Sequence, residues 1–152
     1  MTQTAARSRR RSTCGFSLVE ALVVVVILGI LTLILAPRLE PITAGRAVAG
    51  ARAGFTSLYN LARTYAVQSR GTAVVSVTSG IALATVTAGG TTRSIGSAIV
   101  FDSTFRVQAT ANPTSITIQP SGLVTTGMPF ELVLVRSGVV DTVRITGFGR
   151  IK

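Results

Sequence analysis

Histidine is absent from the sequence altogether, and with it go the usual proton carrier of hydrolytic triads and the commonest zinc ligand. The single cysteine, Cys14, stands ahead of the first apolar run, so the body of the chain has no thiol for catalysis, metal binding or a disulfide. Only five acids occur, Glu20, Glu40, Asp102, Glu131 and Asp141, spread too thinly for a carboxylate metal cage or a paired acid and base. Tryptophan is missing and aromatics make up 5% of the residues, short of a stacking platform for single-stranded nucleic acid. No metal, no cofactor and no enzymatic role are therefore expected.

What the sequence has is positive charge and one long apolar run. The formal net charge is +10, but four of the fifteen basic residues, Arg7, Arg9, Arg10 and Arg11, precede the run at 16–36. As a helix, residues 16–36 would reach about 31 Å, one hydrocarbon thickness. The arginine cluster before it, against scattered single charges after it, places the N-terminus in the cytoplasm and the rest of the chain outside the inner membrane. One carboxylate, Glu20, interrupts the run. A charge at that depth in a bilayer costs roughly 3 kcal/mol on insertion scales and persists where a partner is supplied. A secretory signal would be shorter, and Ala36-Pro37-Arg38 is a poor cleavage site for one. A lipoprotein signal would put its cysteine after the apolar region, and a plain anchor leaves Glu20 without a reason.

Gly15, Phe16, Ser17, Leu18, Val19 and Glu20, followed by the apolar helix, resemble the N-terminal segment of type IV pilins and type II secretion pseudopilins. That resemblance implies a leader at 1–15, cut by a prepilin peptidase between Gly15 and Phe16, with N-methylation of the new Phe16 amine. It implies that Glu20 pairs with the Phe16 amine of a neighbouring subunit as helices bundle into a filament. A transmembrane or filament-core helix at 16–36 would continue as a second helical half at 37–71, with a kink or break near Pro37, where the proline removes a hydrogen bond. The implied fold is α+β: a long N-terminal helix packed on an antiparallel sheet.

The residues downstream support that outline independently. Ala51, Phe55, Leu58, Ala62 and Tyr65 or Ala66 recur at three- and four-residue steps and mark one apolar helix face. From 72 to 152 short β-branched runs alternate with Gly, Pro, Asn and Ser, which predicts strands at 73–77, 81–87, 91–95, 99–101, 105–109, 115–118, 130–136 and 139–146 in a periplasmic domain. Gly89-Gly90 and Ser137-Gly138 are expected to turn hairpins. Arg52, Arg63 and Arg70 fall on one helix face, read either as a solvated surface or as a partner contact.

Three further segments resemble the GspH and FimT branch of minor pseudopilins and minor pilins. These are 58–67 with the following Val74-Val75-Ser76-Val77, Ile116-Thr117-Ile118-Gln119-Pro120-Ser121-Gly122, and the ending Gly147-Phe148-Gly149-Arg150-Ile151-Lys152. The expectation is a GspH-like minor pseudopilin, a structural subunit of a periplasmic filament that supports protein export. The alternative is a FimT-like minor pilin of a type IV pilus, with Arg150 and Lys152 on an extended tail as possible contacts to DNA or another partner. The expected partners are the peptidase, other pilins or pseudopilins, the inner membrane and, in the alternative, DNA.

Overall fold

The computed structural model describes residues 17–125 and 128–152, those at 35–39 as backbone only. The expected leader and the cleavage pair Gly15 and Phe16 lie outside the described residues. The chain divides into two units, Met1–Arg38 and Leu39–Lys152.

In the first unit the helix α1 begins at Leu18, and its apolar side chains are in the open: Leu18 is 82% exposed and Leu33 79%. Among the described residues no helix is long and apolar enough to cross a membrane. The stretch with described side chains ends at Ile34, about one turn short of the ~20 residues a span needs, while the sequence continues apolar through Leu35 and Ala36. Helical backbone runs without interruption from Leu18 to Gln68, through Pro37 and Pro41, so the structure shows no break in the helix at Pro37. A proline deletes a single donor, and the turns on either side keep theirs.

The second unit buries one face of α1. Ala44, Val48, Ala51, Phe55, Tyr59, Ala62 and Ala66 are all buried, at steps of three or four residues. The helix closes where Gly71 N–H bonds Ala66 O and Arg70 N–H bonds Val67 O, with Arg70 left-handed at φ 48°. This is a Schellman closure with arginine in the place usually held by glycine. The glycine comes one residue later, because a Cβ on Gly71 would lie 2.5 Å from the Thr87 carbonyl oxygen.

Seven strands follow: β1 Thr72–Thr78, β2 Ile81–Ala88, β3 Thr91–Val100, β4 Gln108–Asn112, β5 Ser115–Ile118, β6 Phe130–Arg136 and β7 Val139–Ile145, with a short helix α2, Phe101–Phe105, after β3. They form two antiparallel sheets, in the orders β3-β2-β1-β5 and β4-β6-β7. Period-two alternation turns Ala73, Val75 and Val77 of β1, and Phe130, Leu132 and Leu134 of β6, into the same core. Phe55 of α1 stacks on Phe130 with ring centroids 5.7 Å apart. Phe105 lies against Gly50 and Gly54, whose missing side chains make room for its ring.

Three expected strands are corrected. Those at 91–95 and 99–101 merge into one, Thr91–Val100, with Phe101 opening α2, because Gly96, at φ 65°, sits beside a register shift between Ala82 and Ala84 instead of ending the ladder. The strand expected at 105–109 begins at Gln108, since Phe101 and Phe105 stand four apart and close a helical turn that ends at left-handed Arg106. The hairpins at Gly89-Gly90 and Ser137-Gly138 form with paired positive φ, and Ser79-Gly80 makes a third of the same kind.

Replacing Gly71 by Ala should lower the stability of the Leu39–Lys152 unit by about 1–3 kcal/mol, because the obstacle is a sheet carbonyl that cannot rotate away. A urea midpoint equal to that of the wild type would show that the helix end and β2 are less closely packed than described.

Candidate functional site

Glu20 lies in the first turn of α1, where the free amides of a helix start favour negative charge. Its neighbours Leu18, Val19, Leu22 and Val23 are exposed apolar side chains. Thr32, a second polar group in the run, donates its hydroxyl to Leu28 O at 2.7 Å and is thereby satisfied. The ion pairs among the described residues are Arg52–Asp141 and Arg144–Glu131, so no described residue neutralises Glu20. The helix thus presents a carboxylate on an apolar surface that no described residue covers or neutralises.

In the second unit the C-terminal segment is tied down. Beyond β7 it turns back at 146–149, where Gly149 N–H bonds Thr146 O at 2.7 Å, and then runs antiparallel to β7. Thr146 N–H bonds Arg150 O, while Arg144 and Lys152 exchange both of their backbone bonds at 3.1 and 2.8 Å. Ile151 therefore faces Ile145, and Arg150 and Lys152 share the opposite face with Arg144.

The turn is clamped from beneath by α1. The Tyr59 hydroxyl donates to Gly149 O at 3.2 Å, and Arg63 Nη1 donates to the same oxygen at 3.4 Å. Gly149 is buried at φ 72°, and a Cβ there would come within 2.8 Å of the Tyr59 hydroxyl and 3.3 Å of Gly122 O. Gly122, at φ 77°, leaves room for the Arg63 guanidinium in turn, and Val124 N–H bonds Gly147 O. Burial pushes the Tyr59 phenol above its ordinary pKa, with the nearby Arg63 charge acting weakly the other way.

One expectation about basic residues changes. Arg52, Arg63 and Arg70 are not one solvated stripe: Arg52 holds Asp141 of β7 at 2.9 Å, Arg63 holds the C-terminal turn, and Arg70 has left the helix. Arg150 and Lys152 sit, exposed, on an extended tail that pairs with β7 through the bridge of Ile151 to Ile145. The segments ending in Gly122 and beginning at Gly147, noted separately in the sequence, meet at Tyr59 and Arg63. Tyr59 itself was missed as a site residue, and the only sequence signal for it was a phenol one residue off the apolar stripe.

Comparison with known proteins bears on the N-terminal segment and on the fold. Residues 10–36 match the family described as the prokaryotic N-terminal methylation motif. No curated protein matches the chain. Among solved structures, the type IV minor pilin FimU of Pseudomonas aeruginosa is similar in two crystal forms. One has a TM-score of 0.53 at 17% identity, covering 76% of this chain and 91% of that one; the other has 0.52 at 16%, covering 71% and 90%. At these identities the likeness is one of fold: the chain has the α+β pilin fold, a long N-terminal helix packed on antiparallel sheet.

Tyr59→Phe should lower stability by about 1 kcal/mol through loss of the bond to Gly149 O. The raised phenol pKa adds a pH signature. The unfolded chain releases this proton near pH ~10 while the folded one keeps it, so wild-type stability is intact below that range and falls as pH rises through it. Chemical denaturation of both proteins between neutral pH and pH ~11 should show a smaller alkaline loss for the variant.

Proposed function

We propose that this chain, pilin-like in its N-terminal motif and in its fold, is a minor pilin or pseudopilin: a structural subunit that enters a filament by its N-terminal helix. The observation that carries the reading is Glu20, an unneutralised carboxylate on an exposed apolar helix that follows the segment matching the methylation motif. Cleavage between Gly15 and Phe16 by a prepilin peptidase, with methylation, would create an amine four residues from Glu20. Such an amine on a neighbouring subunit can be brought beside the carboxylate as apolar helix faces pack. A charge pair formed on assembly gains most where water is excluded, and removing one member leaves the other stranded. Before assembly the same helix anchors the chain in the inner membrane with its folded unit in the periplasm. Pro37, which deletes one backbone bond, marks where the helix would bend or loosen most easily in the filament.

Of the two machines, the fold likeness to a type IV minor pilin supports a pilus, and the GspH-like role in type II secretion expected from sequence has no comparable support. A second reading, DNA contact by the C-terminal strand, is favoured by the exposed Arg150 and Lys152 on one face of it. With so few cations, binding would be weak and steeply salt-dependent.

Glu20→Ala is expected to leave membrane insertion intact and to abolish recovery of the protein in sheared filament fractions; undiminished recovery would sink the pairing. Arg150→Ala combined with Lys152→Ala should weaken binding of the purified protein to duplex DNA and reduce its salt slope by about 2. Wild-type protein that shows no salt-dependent DNA binding would remove the second reading.

A further inference from the structure

The geometry points to the C-terminal turn as a docking surface for a different, acidic subunit, with Phe148 as its anchor; this inference rests on the filament-subunit reading above. Phe148 is 81% exposed at the tip of the turn. The residues on either side of it are fixed: Gly147 O accepts from Val124 N–H, and Gly149 is bound through both its amide and its carbonyl. An aromatic held out by a clamped backbone loses little freedom on binding and offers a large apolar area, the two properties of interface anchors. The loop bonded to this turn carries Leu123, 46% exposed, and Val67, also half-exposed, lies against Gly122 of that loop. A groove of about 370 Å³ opens along Arg63, Thr64, Val67 and Gln68, and Arg150, exposed, follows Gly149 in the chain. The complementary surface is an apolar socket with carboxylates at its edge.

Charge decides what kind of protein brings that socket. The unit Leu39–Lys152 holds ten Arg and Lys against four Asp and Glu. Asp141 is tied to Arg52 and Glu131 to Arg144, while Glu40 accepts from the Ser137 hydroxyl at 3.0 Å, which leaves Asp102 as the one described carboxylate of this unit without such a bond. A second copy would meet this turn with the same positive surplus and almost no free carboxylate to offer it, so like copies repel at close range. A nucleic acid would satisfy Arg63 and Arg150 but has no counterpart for Leu123 and Val67. An acidic protein satisfies both halves of the surface.

The test titrates the purified full chain in detergent with purified single pilin-type subunits of the same organism, spanning acidic to basic, with a second copy of itself, and with a short single-stranded oligonucleotide. An acidic subunit should bind, more weakly as salt rises. Phe148→Ala should weaken that binding about tenfold or more at an unchanged melting temperature, and Arg150→Glu should weaken it as well. The inference is overturned by binding to no acidic subunit, by binding indifferent to Phe148→Ala, or by Phe148-dependent binding confined to the oligonucleotide or to the second copy. Scoring wild-type protein in filaments alongside separates the two readings. Absence there overturns the subunit role itself, whereas presence in filaments without acidic binding overturns the docking surface alone.

Discussion

Both sheets and the C-terminal turn depend on a single buried face of α1. The four-stranded sheet contributes small residues such as Ala73, Ala82 and Ala84 and β-branched ones such as Val75 and Ile116, and the three-stranded one contributes Phe130, Leu132 and Leu134. The helix accommodates that difference by alternating small and large side chains. Ala51, Ala62 and Ala66 let backbone come close, while Phe55 reaches across to stack on Phe130. Close packing of this sort tolerates little change in volume, which is why the glycines beside it, Gly50 under Phe105 and Gly71 under the Thr87 carbonyl, are fixed by contact and not by turn geometry.

The same helix is unfinished at its other end. Where the second half of α1 finds its partners within the chain, the first half exposes leucine, valine and isoleucine side chains around a carboxylate that no described residue pairs with. Such a surface is stable in lipid or against other helices and costly in water. The division at Arg38 and Leu39 therefore separates a unit with its own core from one whose described apolar side chains are exposed.

Much of this was legible in the sequence, for physical reasons that also explain what was not. The apolar stripe of α1 could be read because a helix packed on one side must repeat near 3.6 residues, and Ala51, Phe55, Leu58 and Ala62 keep that period. The hairpins at Gly89-Gly90 and Ser137-Gly138 could be read because their turns need positive φ. Gly96 misled because a glycine that permits a bulge and one that ends a strand look alike until the pairing is known. The arginines misled more. Helical spacing places Arg52 and Arg63 near each other on a face, but long side chains reach sideways, and their partners, Asp141 and the Gly149 carbonyl, stand 89 and 86 residues away in sequence. No local pattern encodes such a contact. The clamp at Gly149 was half visible, as two glycine-bearing segments without a reason to meet.

That clamp explains how a chain without a usable cysteine secures its terminus. A disulfide stabilises mainly by limiting the unfolded chain, which is why small secreted domains favour it. Here the terminus is held by bonds that exist in the folded state alone: the Tyr59 and Arg63 donors on one carbonyl, the paired amides of Arg144 and Lys152, and the contact of Ile151 with Ile145. Each is modest singly, about 1 kcal/mol for a neutral hydrogen bond. They are cooperative in geometry, however, because Gly149 satisfies the hydroxyl, the guanidinium and the turn amide from one residue. The rigidity of the tip that carries Phe148 is therefore a property of α1 as much as of the tail.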